Sequence, residues 1–147
     1  MQKNVRYTID LDAKTTQIVG ILPEVIVVRY NLLCSSREVK MFPGAIKHIK
    51  KRHPGILESF GHLIPEIIES PDYVGKSPRH PNSVELIKVV SEHLLLAIKL
   101  DPSGYLFVSS FYELSNGPYK IQKRLRSGRL VRFTDLLDCQ ASVKMSP

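Results

Sequence analysis

Apolar positions alternate in VRYTIDLD, at Val5, Tyr7 and Ile9, and this period of two predicts a strand. Pro23 then precedes EVIVVRYNLL, a β-branched run bounded by turn residues, which predicts a second strand. The following CSSREVKMF carries no decisive pattern and reads as a connection. At PGAIKHIKKRH, residues 43–53, the spacing becomes helical, with Pro43 near the first turn and Pro54 as the stop. A less regular helical stretch covers Ile56–Glu69, divided by Gly61 and Pro65.

The pattern changes again after Ser70-Pro71. Asp72-Tyr73-Val74 predicts a short strand, and GKSPRHPNS is a loop by its Gly, Pro, Asn and Ser content. Three strand-like runs follow closely, VELIKVVS at 84–91, HLLLAIKL at 93–100 and YLFVSSFYEL at 105–114, with Asp101-Pro102-Ser103-Gly104 as a turn. Such short links favour an antiparallel meander. A helix is expected over Pro118–Ser127 with Gly128 as its C-terminal cap, and Leu130–Pro147 adds a short strand or helix. The order defines a single α+β domain spanning 1–147, with an N-terminal strand region (1–40), helices packed on one face of an antiparallel sheet, and a C-terminal helix.

Composition narrows the class. Cys34 and Cys139 are too few and too distant for a disulfide framework or a zinc site, and they read as reduced thiols of a cytoplasmic protein. The N-terminus lacks the apolar run of a signal peptide, and the longest apolar stretches, near Val25–Val28 and Leu94–Ile98, are too short to cross a membrane. The formal charge is +7, and its placement is uneven. No acid lies between Glu38 and Glu58, where Lys40, Lys47, Lys50, Lys51 and Arg52 fall, nor between Glu113 and Asp135, where Lys120, Lys123, Arg124, Arg126, Arg129 and Arg132 fall. Two such segments attract a polyanion, or else form solvated faces that keep the chain soluble.

On the helix at 43–53, Ala45, Ile46 and Ile49 share one face, His53 falls within it, His48 lies at its edge beside Arg52, and the lysines point away. An imidazole directed from a helix end towards the sheet is placed for acid–base work; the structural alternative is a histidine that satisfies the last carbonyls. Strict alternation in YLFVSSFYEL puts Leu106, Val108, Ser110 and Tyr112 on one face, and Tyr105, Phe107, Ser109 and Phe111 on a core face. Ser110 and Tyr112 then form a hydroxyl pair, either for a phosphate or ribose or as an ordinary solvent-facing side. In the last helix, Ile121 and Leu125 pack, while Lys120 and Arg124, four apart, present two cations suited to a phosphodiester. Lys76, Arg79 and His80 read as a surface loop, with an RNA contact as the alternative. No Gly-rich phosphate loop, paired carboxylates or metal-ligand set is evident, so no metal and no cofactor are expected.

AIKHIKKRHP, IPEIIESPDYVGK, LLLAIKLDPSGYLFVSSFY and IQKRLRSGRL, in that order, resemble the phage and mobile-element branch of the Barnase–EndoU–Colicin–RelE-like nucleases over residues 43–132. The resemblance implies a helix-then-antiparallel-sheet core and a metal-independent ribonuclease, often a toxin or a phage or mobile-element effector. It implies His53 as acid or base, Ser109 or Ser110 as the late-strand hydroxyl, Tyr112 as the aromatic hydroxyl, and Arg124 or Lys120 as the basic residue. Residues 1–40 lie outside it, as an extra hairpin or a partner-coupling region.

The expectation is therefore an RNA endonuclease acting by transesterification, with His53, Ser110, Tyr112, Arg124 and Lys120 catalytic. His48, Lys50, Lys51, Arg52, Ser109, Lys123, Arg126 and Arg129 would bind RNA, and a neutralising or fused protein is a possible partner. The rivals are a non-catalytic nucleic-acid-binding module and a partner-binding protein on the same fold.

Overall fold

The computed structural model describes the backbone over residues 6–145 and side chains over residues 6–139. Strands β1 (Gln17–Ile21) and β2 (Glu38–Met41) flank helix α1 (Glu24–Arg29). Helices α2 (Pro43–Arg52), α3 (Ile56–Phe60) and α4 (Ile64–Glu69) follow, with a 3-10 turn at Gly61–Leu63. Strands β3 (Tyr73–Gly75), β4 (Ser83–Val89), β5 (His93–Leu100) and β6 (Leu106–Glu113) lead to helix α5 (Gly117–Ser127), strand β7 (Leu130–Arg132) and helix α6 (Phe133–Met145). Among the described residues the strands form one seven-stranded sheet in the order β1-β2-β6-β5-β4-β3-β7. Every pairing is antiparallel except β2 with β6.

Alternation along the central strands makes two unlike faces. Val84 and Leu86, Leu94, Leu96 and Ile98, and Leu106, Val108 and Phe111 bury one face against Ile46 and Ile49 of α2, Leu57 of α3, Ile64, Ile67 and Ile68 of α4, Ile26 of α1 and Phe133 and Leu136 of α6. The opposite face carries a smaller cluster, in which Ile87, Leu95 and Leu130 meet Leu114, Ile121 and Leu125. Thus α5 lies across the face that the other helices leave, which corrects the expectation of helices on one face only. The meander, the first long helix, the broken second one and the left-handed Gly128 cap (φ 82°) stand as expected.

The N-terminal region differs from expectation. EVIVVR is helix α1, not a strand. Alternation would bury Ile26 and Val28 alike, but Ile26 is buried and Val28 is 68 % exposed. Glu24 in the first turn and Arg29 in the last complement the helix dipole, and packing of Ile26 overrides β-branched propensity. The strand expected in VRYTIDLD is absent over its described part, residues 6–12, while Val5 lies outside the described residues. The strands are instead QIVGI, which the pattern did not reveal, and EVKM, within the supposed connection. The second matters most. β2 pairs with β6 only at Val39↔Leu106 and Lys40↔Phe107; the chain then turns into α2, which packs along the rest of β6.

Candidate active site

The register of the sheet assembles the site. On the face shared with α5, Gly75, Glu85, Ala97 and Ser110 lie opposite one another across β3, β4, β5 and β6. The next row is Tyr73, Ile87, Leu95 and Tyr112, and the preceding one is Ser83, Lys99 and Phe107. Gly75 and Ala97 leave a shallow floor between larger groups.

A bulge corrects the alternation expected in β6. Ala97 pairs with Ser110 while Ile98 pairs with Val108, so Ser109 is an extra residue whose hydroxyl donates to the Ala97 carbonyl at 3.2 Å. Leu106 and Val108 therefore share the core face with Phe111, and Phe107 joins Ser110 and Tyr112 on the site face. The hydroxyl pair survives the correction, because the phase shift falls before it.

His53 is the C-cap of α2; its N–H donates to the Ile49 carbonyl at 2.8 Å, which fixes the backbone at the end of the last turn. Its ring, half-buried, stacks on Tyr112 with centroids 5.2 Å apart and planes 23° from parallel. Burial, then the charges of Arg52 and His48, hold its pKa below the usual histidine range. Tyr112 is pushed up by burial and by the Glu85 carboxylate, against the pull of Arg124 and Arg129, so the phenol keeps its proton at neutral pH. Tyr112 thus lies within electrostatic reach of Glu85, Arg124 and Arg129.

Glu85 is a residue that the sequence reading missed. It is 8 % exposed, between Val84 and Leu86 in β4, and Arg129 Nη2 donates to its Oε1 at 3.0 Å. Gly75 makes this possible. A Cβ there would lie 2.5 Å from the Arg129 carbonyl and 2.7 Å from Leu130 Cδ2, so only glycine lets the chain after α5 cross close enough for Arg129 to reach Glu85. The turn is secured by Ser127, whose hydroxyl donates to the Arg124 carbonyl and accepts from the Arg129 N–H. The signal for Glu85 was present: a lone carboxylate inside VELIKVV cannot be buried without a cationic partner.

Arg124 points from α5 into this group. Its Nη1 and the Nε of Arg129 are buried and have no hydrogen-bond partner in the protein. Such donors are costly to bury unless an acceptor, water or a bound anion, receives them. His53, Ser110, Tyr112 and Arg124 of the expected residues thus come together, joined by Arg129, which the sequence assigned to RNA binding alone. Lys120 sits at the start of α5, where its Nζ donates to Ser115 Oγ at 3.2 Å. Lys50 donates to the Leu11 carbonyl at 3.4 Å; His48 and Arg52 are exposed and act on His53, and Lys51, Lys123 and Arg126 are exposed. Among the described residues, no three His, Cys, Asp or Glu side chains cluster as metal ligands, and both cysteines are free.

An imidazole, a phenol, a carboxylate and two partly unpartnered guanidiniums thus share the sheet face beside α5, a set of groups able to bind an anion and exchange protons. The chain matches, over residues 16–120, the family described as phage-Barnase-EndoU-ColicinE5/D-RelE like nuclease3, and it belongs to that nuclease family. The substrate class is accordingly nucleic acid. No curated protein and no solved structure matches the chain. The match begins before β1 and so includes β1, α1 and β2; it ends at Lys120, ahead of Arg124 and Arg129. No helix among the described residues is long and apolar enough to cross a membrane.

Proposed function

We propose that the protein is a metal-independent RNA endonuclease that cleaves by transesterification. The observation that carries this reading is the His53–Tyr112 stack at a group that also holds Glu85, Arg124 and Arg129. RNA supplies its own nucleophile, the 2′-hydroxyl, so the protein needs an acceptor, a donor and cations for the charge that develops on phosphorus. A carboxylate held by Arg129 is an acceptor, and in this reading Glu85 takes the 2′-proton. The 2′-oxygen then bonds to phosphorus, the bond to the 5′-oxygen breaks, and the His53 imidazolium returns a proton to that leaving oxygen. The unpartnered N–H groups of Arg124 and Arg129 receive the phosphate oxygens, and Tyr112 and Ser110 orient the phosphate. Lys120, Lys123, Arg126, His48, Lys51 and Arg52 hold flanking phosphates; Lys50 and Ser109, each bonded within the protein, contribute less. A role as a toxin-like effector of a phage or mobile element, in the cytoplasm and restrained by a neutralising partner, fits a small cationic nuclease.

The test is a comparison of cleavage with binding. His53→Ala lowers RNA cleavage by about 10²–10⁴-fold while affinity stays near that of the parent. Arg124→Ala lowers both. Undiminished cleavage by His53→Ala removes that residue from the mechanism; salt-sensitive binding by the parent with no product on long incubation makes the protein a binding module instead.

A further inference from the structure

A cavity of about 300 Å³ opens beside the row Ser83–Lys99–Phe107, lined by Arg79, His80, Asn82, Lys99, Asp101 and Phe107 among others. Its walls are built. The β3–β4 loop is tied to β5 by the Leu100 N–H donating to the Asn82 carbonyl at 2.7 Å, and Ser83 returns two bonds to the His80 carbonyl. On the other side, Asp101 Oδ2 accepts from the N–H and hydroxyl of Ser103 at 2.9 and 2.7 Å, which holds the β5–β6 turn closed. Phe107 is braced by Phe42 (6.3 Å) and Tyr105 (5.8 Å), and Lys40 lies 4.7 Å from the Tyr105 ring centroid. The lining thus combines an aromatic ring, an amide, a carboxylate and three nitrogen bases or cations.

Its position relates it to the site above. Lys99 and Ala97 are two residues apart on one face of β5, and Phe107 precedes Ser110 across the bulge, so the cavity lies about 7 Å along the strands from the Glu85–Ser110 row. A volume near the lower end of the range for small-ligand pockets suits one nucleotide unit and not a longer segment.

We propose that this cavity is a nucleotide subsite, which seats the base adjoining the scissile phosphate on Phe107, reads its edge with Asn82 and Asp101, and holds its phosphate with Arg79 and Lys99. The location beside a cleavage centre rests on the function proposed above, but nucleotide binding does not. The loop of Arg79 and His80 is on this account a wall of the substrate groove, and the bulge at Ser109 brings Phe107 to the same face as Tyr112.

The test is an amide-resolved NMR titration of the full chain with each of the four nucleoside 5′-monophosphates, and with ribose 5-phosphate and inorganic phosphate. At least one nucleotide is expected to shift the amides of Asn82, Leu100 and Phe107, and to bind at least about tenfold more tightly than ribose 5-phosphate, since the base adds stacking on an aromatic ring. Phe107→Leu should remove most of that difference, and Asn82→Ala, an exposed change that leaves the core intact, should alter the ranking among bases. Shifts equal for nucleotide and ribose 5-phosphate, or absent from the cavity, overturn the proposal. Cavity shifts in a protein that cleaves no RNA would sink the nuclease reading alone; cleavage without them would sink the subsite alone.

Discussion

At the residue scale the proposed chemistry depends on how three side chains, His53, Glu85 and Arg129, are held. His53 has its pKa lowered chiefly by burial. The imidazolium is then present below this lowered midpoint and is lost as pH rises through it. If His53 is the donor, kcat/KM falls with rising pH through that midpoint; a rate that climbs through the same midpoint would make His53 the acceptor and exchange its role with that of Glu85. Glu85→Gln removes the acceptor while keeping the shape, and cleavage is expected to fall by about 10²–10⁴-fold with the circular dichroism spectrum unchanged. Gly75→Ala tests the third side chain indirectly. The added methyl meets the Arg129 carbonyl, which must move, so thermal denaturation should show a loss of about 1–3 kcal/mol, and activity should fall even at temperatures where the variant stays folded. An unchanged melting curve with full activity would show that the Arg129–Glu85 pair does not depend on this close approach.

At the element scale, α2 is the part that delivers His53. Ile46 and Ile49 anchor it in the main core, and its last turn ends where β2 would have continued beside β6. Ile49→Ala should cost about 2–5 kcal/mol, measured by urea unfolding, and should weaken cleavage more than RNA binding by loosening the His53–Tyr112 stack. This element was legible in advance, because a helical apolar stripe closed by Pro54 admits few other readings. The meander was legible for the same reason: three apolar runs with short links leave one simple pairing. EVIVVR was not, since four β-branched valines and isoleucines within six residues carry a strand signal that a single buried contact at Ile26 reverses. Strand β2 was hidden because EVKM has only Val39 and Met41 to mark it. His53, Ser110, Tyr112 and Arg124 were visible through their own chemistry, whereas Glu85 and Gly75 acquire meaning only through the register that sets β3, β4 and the turn before β7 side by side.

At the scale of the whole molecule, the chain carries a formal charge of +7, and in the site the two guanidiniums of Arg124 and Arg129 face the single carboxylate of Glu85. In the proposed reading, outlying cations such as Lys51, Arg52, Lys123 and Arg126 would supply attraction without sequence information, and RNA affinity should fall linearly in log–log form with salt. Lys123→Gln should reduce that slope by about one unit without changing which bonds are cut. The most direct test of the central claim is incubation of the purified protein with RNA in the presence of a chelator, followed by analysis of the new termini. The account predicts fragments ending in 2′,3′-cyclic phosphate, formed equally with and without chelator and lost with His53→Ala. Cleavage that requires a divalent ion, or that leaves 3′-hydroxyl ends, would contradict it.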